Sequence, residues 1–271
     1  MGRITTRRRV TRIRGDGHIV QRPDTLAVEE PLEIRVGGQS LVVTMRTPGN
    51  DVELAAGFLV SEGVLAGADD LVTARYCAGA DADGTNTYNV LDLVLAPHVP
   101  PPAPELARSF TTTSACGVCG KDSIDAISIR SSFTVADDPL TVDVATLLTF
   151  PGLLRDHQNV FDKTGGLHAA ALFDGRTGEP VVVREDVGRH NAVDKVVGRL
   201  VLDGSVPASQ LGLFVSGRTS FEIVQKAWSA GFGTVVAVSA PSSLAIDAAR
   251  RAGIVLAGFA RPARVNLYTE P

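Results

Sequence analysis

Residues 211–259 read LGLFVSGRTSFEIVQKAWSAGFGTVVAVSAPSSLAIDAARRAGIVLAGF. Three apolar runs within it, Leu211–Ser216, Thr234–Ser239 and Ile254–Phe259, have the length and composition of strands. Between them Phe221–Ala230 and Ser243–Ala252 carry helical spacing, and Gly231 and Gly253 stand where a helix ends in a left-handed residue. Strands separated by helices of about ten residues specify a three-layer α/β sheet. Working back toward the N-terminus, Leu167–Phe173 and Pro180–Arg184 read as two more strands, and Asn191–Leu200 as another helix.

The N-terminal half reads differently. Leu32, Ile34 and Val36, then Leu41, Val43 and Met45, alternate around Gly37-Gly38-Gln39 and predict a β-hairpin. Asn50, with Glu53 three residues on, is placed to cap a helix over the apolar run that follows. A further strand is expected at Thr87–Leu95, giving an α+β unit. Pro97, Pro100, Pro101, Pro102 and Pro104 are too dense for the interior of any element and mark a boundary. The expected organisation is a basic, disordered tail over residues 1–24, an α+β domain over 25–107, and an α/β domain over 108–271.

The chain has 271 residues, a net charge of −4 and three cysteines. The acidic balance disfavours a nucleic-acid partner globally. Arg3, Arg7, Arg8, Arg9, Arg12 and Arg14 are the exception and read as a solvated tail. No apolar run is long enough to span a bilayer, and no apolar segment follows the arginines as in a secretory signal. Few cysteines and no signal point to a reducing cytoplasm.

Two of those cysteines lie in Ser114-Ala115-Cys116-Gly117-Val118-Cys119-Gly120-Lys121. A Cys-x-x-Cys pair supports metal binding, redox exchange or nucleophilic sulfur chemistry, or is simply a buried apolar pair. A structural zinc site needs about four ligands, and this segment supplies two. A zinc deaminase needs His-x-Glu, and no histidine here has glutamate two residues on. A phosphate-binding loop fails too, because Asp122 stands where it needs serine or threonine. Sulfur chemistry keeps its parts: glycines free the backbone, and Lys121 favours a thiolate.

Three polar clusters fall at expected strand ends. Arg184-Glu185-Asp186-Val187-Gly188-Arg189-His190-Asn191 and Ser216-Gly217-Arg218-Thr219-Ser220 each open a helix, and Thr219 with Glu222 reads as a capping box. The third is Phe259-Ala260-Arg261-Pro262-Ala263-Arg264. Arginine at a helix N-terminus is an anion site, and in an open α/β sheet ligands bind beyond the carboxyl ends of the strands. Alternatively, these arginines form surface ion pairs. His168 and His190 lie close enough in sequence to these turns to serve as proton donors or acceptors.

Taken in order, Cys116–Lys121, Thr164-Gly165-Gly166-Leu167-His168-Ala169-Ala170, Glu185–Lys195 and Ser216–Glu222 form a recognisable series. With Glu29–Leu32 and Arg46–Gly49, the chain resembles the FdhD family across residues 25–270. That resemblance implies a sulfurtransferase needed for formate dehydrogenase maturation. A cysteine desulfurase would load Cys116 as a persulfide, with Cys119 assisting. The client would be the bis-molybdopterin guanine dinucleotide (bis-MGD) cofactor, at a segment matching Phe259, Ala260, Arg261, Pro262, Ala263 and Arg264. His168, Arg189, His190 and Arg218 would complete that site. The resemblance further implies a cytidine-deaminase-like three-layer α/β/α domain without a structural metal, in a cytoplasmic homodimer that engages neither nucleic acid nor membrane. The alternative is a cofactor-binding insertion chaperone that never handles sulfur.

Overall fold

A computed structural model describes residues 3–77, 87–103, 131, 133–135 and 142–270. Cys116, Cys119 and Lys121 lie outside the described residues.

The large sheet has strand order β12-β11-β10-β9-β7-β8. Its members are β7 (His168–Asp174), β8 (Pro180–Asp186), β9 (Leu211–Val215), β10 (Thr234–Ala237), β11 (Val255–Arg261) and β12 (Arg264–Leu267). β9, β10 and β11 run parallel, whereas β7 is antiparallel to both β8 and β9. The period-2 alternation sorts side chains cleanly to two faces. Ala170, Leu172, Leu213, Val215, Val235 and Leu256 join one buried cluster, while Ala169, Ala171, Phe173, Phe214, Val236 and Ala257 join the other.

Helices cover both faces. α4 (Arg189–Leu202), α5 (Phe221–Ser229) and α6 (Ser243–Ala252) lie on the first. α2 (Val144–Asp156) covers the second through Leu147, Phe150 and Leu154, and the short α3 (Asn159–Thr164) follows it. This is the three-layer α/β architecture that the alternation specified. Gly231 and Gly253 have φ of 80° and 71°, as left-handed residues ending α5 and α6 must.

The smaller sheet has order β4-β3-β6-β5, from β3 (Glu30–Val36), β4 (Gln39–Arg46), β5 (Leu71–Tyr76) and β6 (Val90–Leu95). Gly37 and Gly38 both take positive φ in the tight turn of the predicted hairpin. α1 (Asp51–Ser61) follows β4 and is buried nearly all round, between this sheet and α4. Gly57 and Gly198 make the crossing possible. A Cβ on Gly57 would lie 1.9 Å from the Asp194 carbonyl oxygen, and one on Gly198 would lie 1.7 Å from that of Glu53.

Three expectations are corrected. The tail is not disordered: Thr5–Ile13 (β1) and Ile19–Ala27 (β2) pair as an antiparallel ribbon, because Thr, Val and Ile at the pairing positions favour strand even where arginine intervenes. Asn50 precedes α1 but is left-handed, at φ 58°, and makes no side-chain cap. Instead Asp51 accepts the Gly49 N–H at 3.2 Å. The Thr219–Glu222 box also fails to form. Ser220 is the N-cap residue, and Glu222 accepts its hydroxyl at 3.0 Å.

Candidate functional site

Strand direction puts every candidate turn on one edge. The carboxyl ends of β8, β9, β10 and β11 and the amino end of β7 meet there. Backbone hydrogen bonds tie the turns together. The Ser216 N–H donates to Ala169 at 2.9 Å, Val238 to Val215 at 3.1 Å, Thr219 to Ala240 at 3.2 Å and Phe259 to Ser239 at 3.2 Å. At about 4.8 Å per strand, β7 to β11 spans roughly 14 Å.

Asp186, fully buried, sets the first turn. One carboxylate oxygen accepts the Gly188 N–H at 2.8 Å and the Asn191 amide at 3.1 Å. The other accepts the Thr47 N–H at 3.1 Å and pairs with Lys195 Nζ at 2.7 Å. Lys195 also donates to the Thr47 carbonyl at 2.9 Å, and Asn191 to the Met45 carbonyl at 2.8 Å. Glu185 accepts the Val160 and Phe161 N–H groups at 2.9 and 2.7 Å, closing the start of α3. Most of this polar stretch is therefore a junction between the two sheets. Sequence reasoning missed that role because Thr47 and Met45 are some 140 residues away.

Arg189 is the residue of that turn left facing the edge. Its Nε is buried and has no hydrogen-bond partner among the described residues. A Cβ added to Gly217 would sit 3.4 Å from His168 Nδ1 and 3.6 Å from Arg189 Cδ, so these three residues share one small space. Burial holds the His168 pKa below 6.5, and the nearby Arg189 and His190 charges reinforce that effect against Asp186. The seat thus combines a neutral imidazole, an unpaired guanidinium nitrogen and the uncapped amino end of α4. Thr219 Oγ1, on the adjoining turn, is a second buried polar atom without a partner among the described residues.

His190 belongs to a different arrangement. Its Nε2 lies 2.8 Å from a Glu222 carboxylate oxygen and 3.2 Å from Ser220 Oγ. That clasp ties the start of α4 to the start of α5 and occupies His190 Nε2. Arg218 is exposed beside Gly217.

The third cluster is a β-bulge rather than a simple strand exit. Register shifts between Gly258 and Arg261, and Phe259 is left-handed at φ 50°, uncommon for a bulky residue. Ala260 is buried, and Pro262 and Ala263 form the exposed turn to β12. Arg261 Nη1 donates to the Val238 carbonyl at 2.6 Å and to that of Ala260 at 2.8 Å. Arg264 is directly opposite Arg261, so two exposed like charges face each other across the pair. Such a pair favours an anion between or above it. Among the described residues no helix is long and apolar enough to cross a membrane.

Comparison with known proteins agrees with this architecture. The FdhD/NarQ family profile matches residues 27–271. A sulfur carrier protein FdhD from Streptomyces avermitilis is 57% identical over 269 residues, covering 99% of this chain and 95% of its own length. The protein of that name from Mycolicibacterium paratuberculosis is 53% identical over 267 residues, covering 98% and 97%. Among solved structures, a formate dehydrogenase accessory protein from Desulfotalea psychrophila superimposes with a TM-score of 0.76, covering 99% of this chain and 98% of its own. Its 21% identity speaks for the fold alone. On the profile match and the identity of these relatives, the chain belongs to the FdhD/NarQ family.

Proposed function

We propose that the protein is a sulfurtransferase, carrying sulfur to the bis-MGD cofactor of formate dehydrogenase. What carries this reading is the family match, which spans the Cys116–Lys121 segment. The thiolate of Cys116 attacks the terminal sulfur of a persulfide on a cysteine desulfurase. A new S–S bond forms on Cys116, the donor's S–S bond breaks, and the proton lost from Cys116 returns to the departing donor thiolate. No net oxidation occurs. Cys119 stabilises the persulfide or assists its release.

The client cofactor is substrate, not a resident group. Its pyrophosphates suit the unpaired Arg189 Nε, with His168, Arg218 and the Arg261–Arg264 pair along the same edge. A seat roughly 14 Å wide, from about 4.8 Å per strand, matches an extended anionic ligand better than a single phosphate. His190 acts through its clasp on Glu222, holding the two arginine turns in register. Phe259 offers a half-buried ring beside the arginine pair. In this reading the protein works in the cytoplasm as a homodimer.

The test is mass spectrometry after incubation with a desulfurase and free cysteine. Wild type gains one sulfur, and Cys116→Ala does not. Undiminished loading of Cys116→Ala overturns the assignment. Replacing both Cys116 and Cys119 with serine separates the insertion chaperone, for which dehydrogenase maturation would remain complete.

A further inference from the structure

Among the described residues the strands of the β1–β2 ribbon pair only with each other, from Thr5 opposite Ala27 to Ile13 opposite Ile19. The base of the ribbon is fixed. The Val28 N–H donates to the Ile4 carbonyl at 2.9 Å, and β2 runs against α3. Its far end is open: Ile13 and Ile19 form a cross-strand pair, 70% and 62% exposed. An isolated two-stranded ribbon is marginal in water, and both its outer edges carry unpaired backbone groups.

The charge of this segment opposes that of the body. Residues 3–27 hold seven arginines against Asp16 and Asp24, a net of +5. Because the chain totals −4, everything else carries −9. Alternation sets Arg7 and Arg9 on one face, with Arg8, Arg12 and Arg22 on the other. No ion pair among the described residues involves any of these five. Arg8 donates to Thr6 Oγ1 and to the Arg7 carbonyl, each at 3.2 Å. The family profile begins at residue 27, where β2 ends, although the Streptomyces avermitilis relative aligns over 99% of the chain. The ribbon thus lies before the start of the profile match.

We propose that this ribbon is a docking arm for a partner protein presenting a patch of aspartate and glutamate side chains. Arginine forks pair bidentately with carboxylates, the Ile13–Ile19 pair supplies apolar contact, and the open strand edges accept a partner's backbone. A nucleic acid fits less well, because a polyanion's field extends along its length and repels the −9 body, whereas a protein patch is local. An anionic bilayer fits less well because Asp16 lies in the turn between Ile13 and Ile19.

The inference stands apart from the sulfur chemistry, and its test does not use it. Full-length protein is compared with Arg7→Gln/Arg9→Gln and with Arg8→Gln/Arg12→Gln/Arg22→Gln. Glutamine removes charge while keeping a side chain that tolerates strand pairing. Affinity is measured for a labelled glutamate-rich peptide, duplex DNA of equal charge and phosphatidylserine vesicles. Wild type is expected to bind the peptide tightest, less so as salt rises, with a loss of about tenfold or more in at least one variant. Equal peptide affinity in all three proteins overturns the proposal. Tighter wild-type binding to the duplex or the vesicles overturns it too, assigning the arm to that surface instead.

Discussion

Arg189 carries an unmet donor, and that sets two opposite expectations for its removal. A buried nitrogen without an acceptor costs the folded state about 1–3 kcal/mol. Arg189→Met therefore leaves thermal stability unchanged or raised. If that nitrogen meets the client's phosphates, the same variant loses roughly tenfold or more in affinity for guanosine diphosphate, the value of one charge-assisted hydrogen bond. Calorimetry checks the affinity and a thermal melt the stability; unchanged affinity would remove Arg189 from the seat. His168 makes a pH prediction. Its folded pKa lies below the ordinary 6.5, chiefly through burial. Between those two values the unfolded chain binds more protons, so stability falls as pH falls through that window. His168→Gln is expected to flatten this acid limb in melts run from neutral to mildly acidic pH, and an unaltered limb would show that other groups set it.

At the scale of elements, legibility followed how each face is covered. β9, β10 and β11 are buried on both sides, so they read as short apolar runs between helical segments. The β1–β2 ribbon has no buried face, so its threonines and arginines gave no apolar period to find. α2 was missed: Pro151 and Gly152, both poor residues for a helix interior, lie inside it. Yet Leu147, Phe150 and Leu154 keep helical spacing, and Asp143 caps its first turn from Thr146 N–H at 2.9 Å. The candidate anion-binding turns were legible because arginine and glycine sit at strand ends. The clasp of His190 on Glu222 was not, since it depends on how two helices approach. Glycines carry the same contrast into a prediction. Gly57→Ala places a methyl 1.9 Å from the Asp194 carbonyl, where backbone must move. Overpacking of that kind costs about 1–3 kcal/mol or more. Gly152→Ala, in α2 with nothing within 4 Å, is expected to gain about 0.5–1 kcal/mol from helix propensity. Urea midpoints compare the two, and equal shifts would refute the close α1–α4 crossing.

For the whole molecule the question is whether the two sheets behave as one body. Residues of β3, β6 and α1 join the same buried cluster as residues of β7, β9, α4 and α5. Polar groups reinforce that continuity. Arg184 Nη2 donates to Glu53 at 2.8 Å, and Lys226 Nζ reaches both oxygens of Asp194 at 2.7 and 2.9 Å. Ser61 in α1 donates to Asp194 at 3.1 Å. Burial raises the Asp194 pKa, while Lys226 and Ser61 favour its charged form. Neither unit could leave without exposing the other's apolar face and breaking the Arg184–Glu53 and Ser61–Asp194 contacts that cross between them. Trp228, the single tryptophan, reports on the larger unit alone, whereas far-UV circular dichroism reports on both. Their urea transitions are therefore expected to coincide. Two separated transitions would mean that the α1–α4 crossing is a contact between independent domains, and the edge carrying Arg189 could then no longer rely on Thr47 and Met45 to hold its shape.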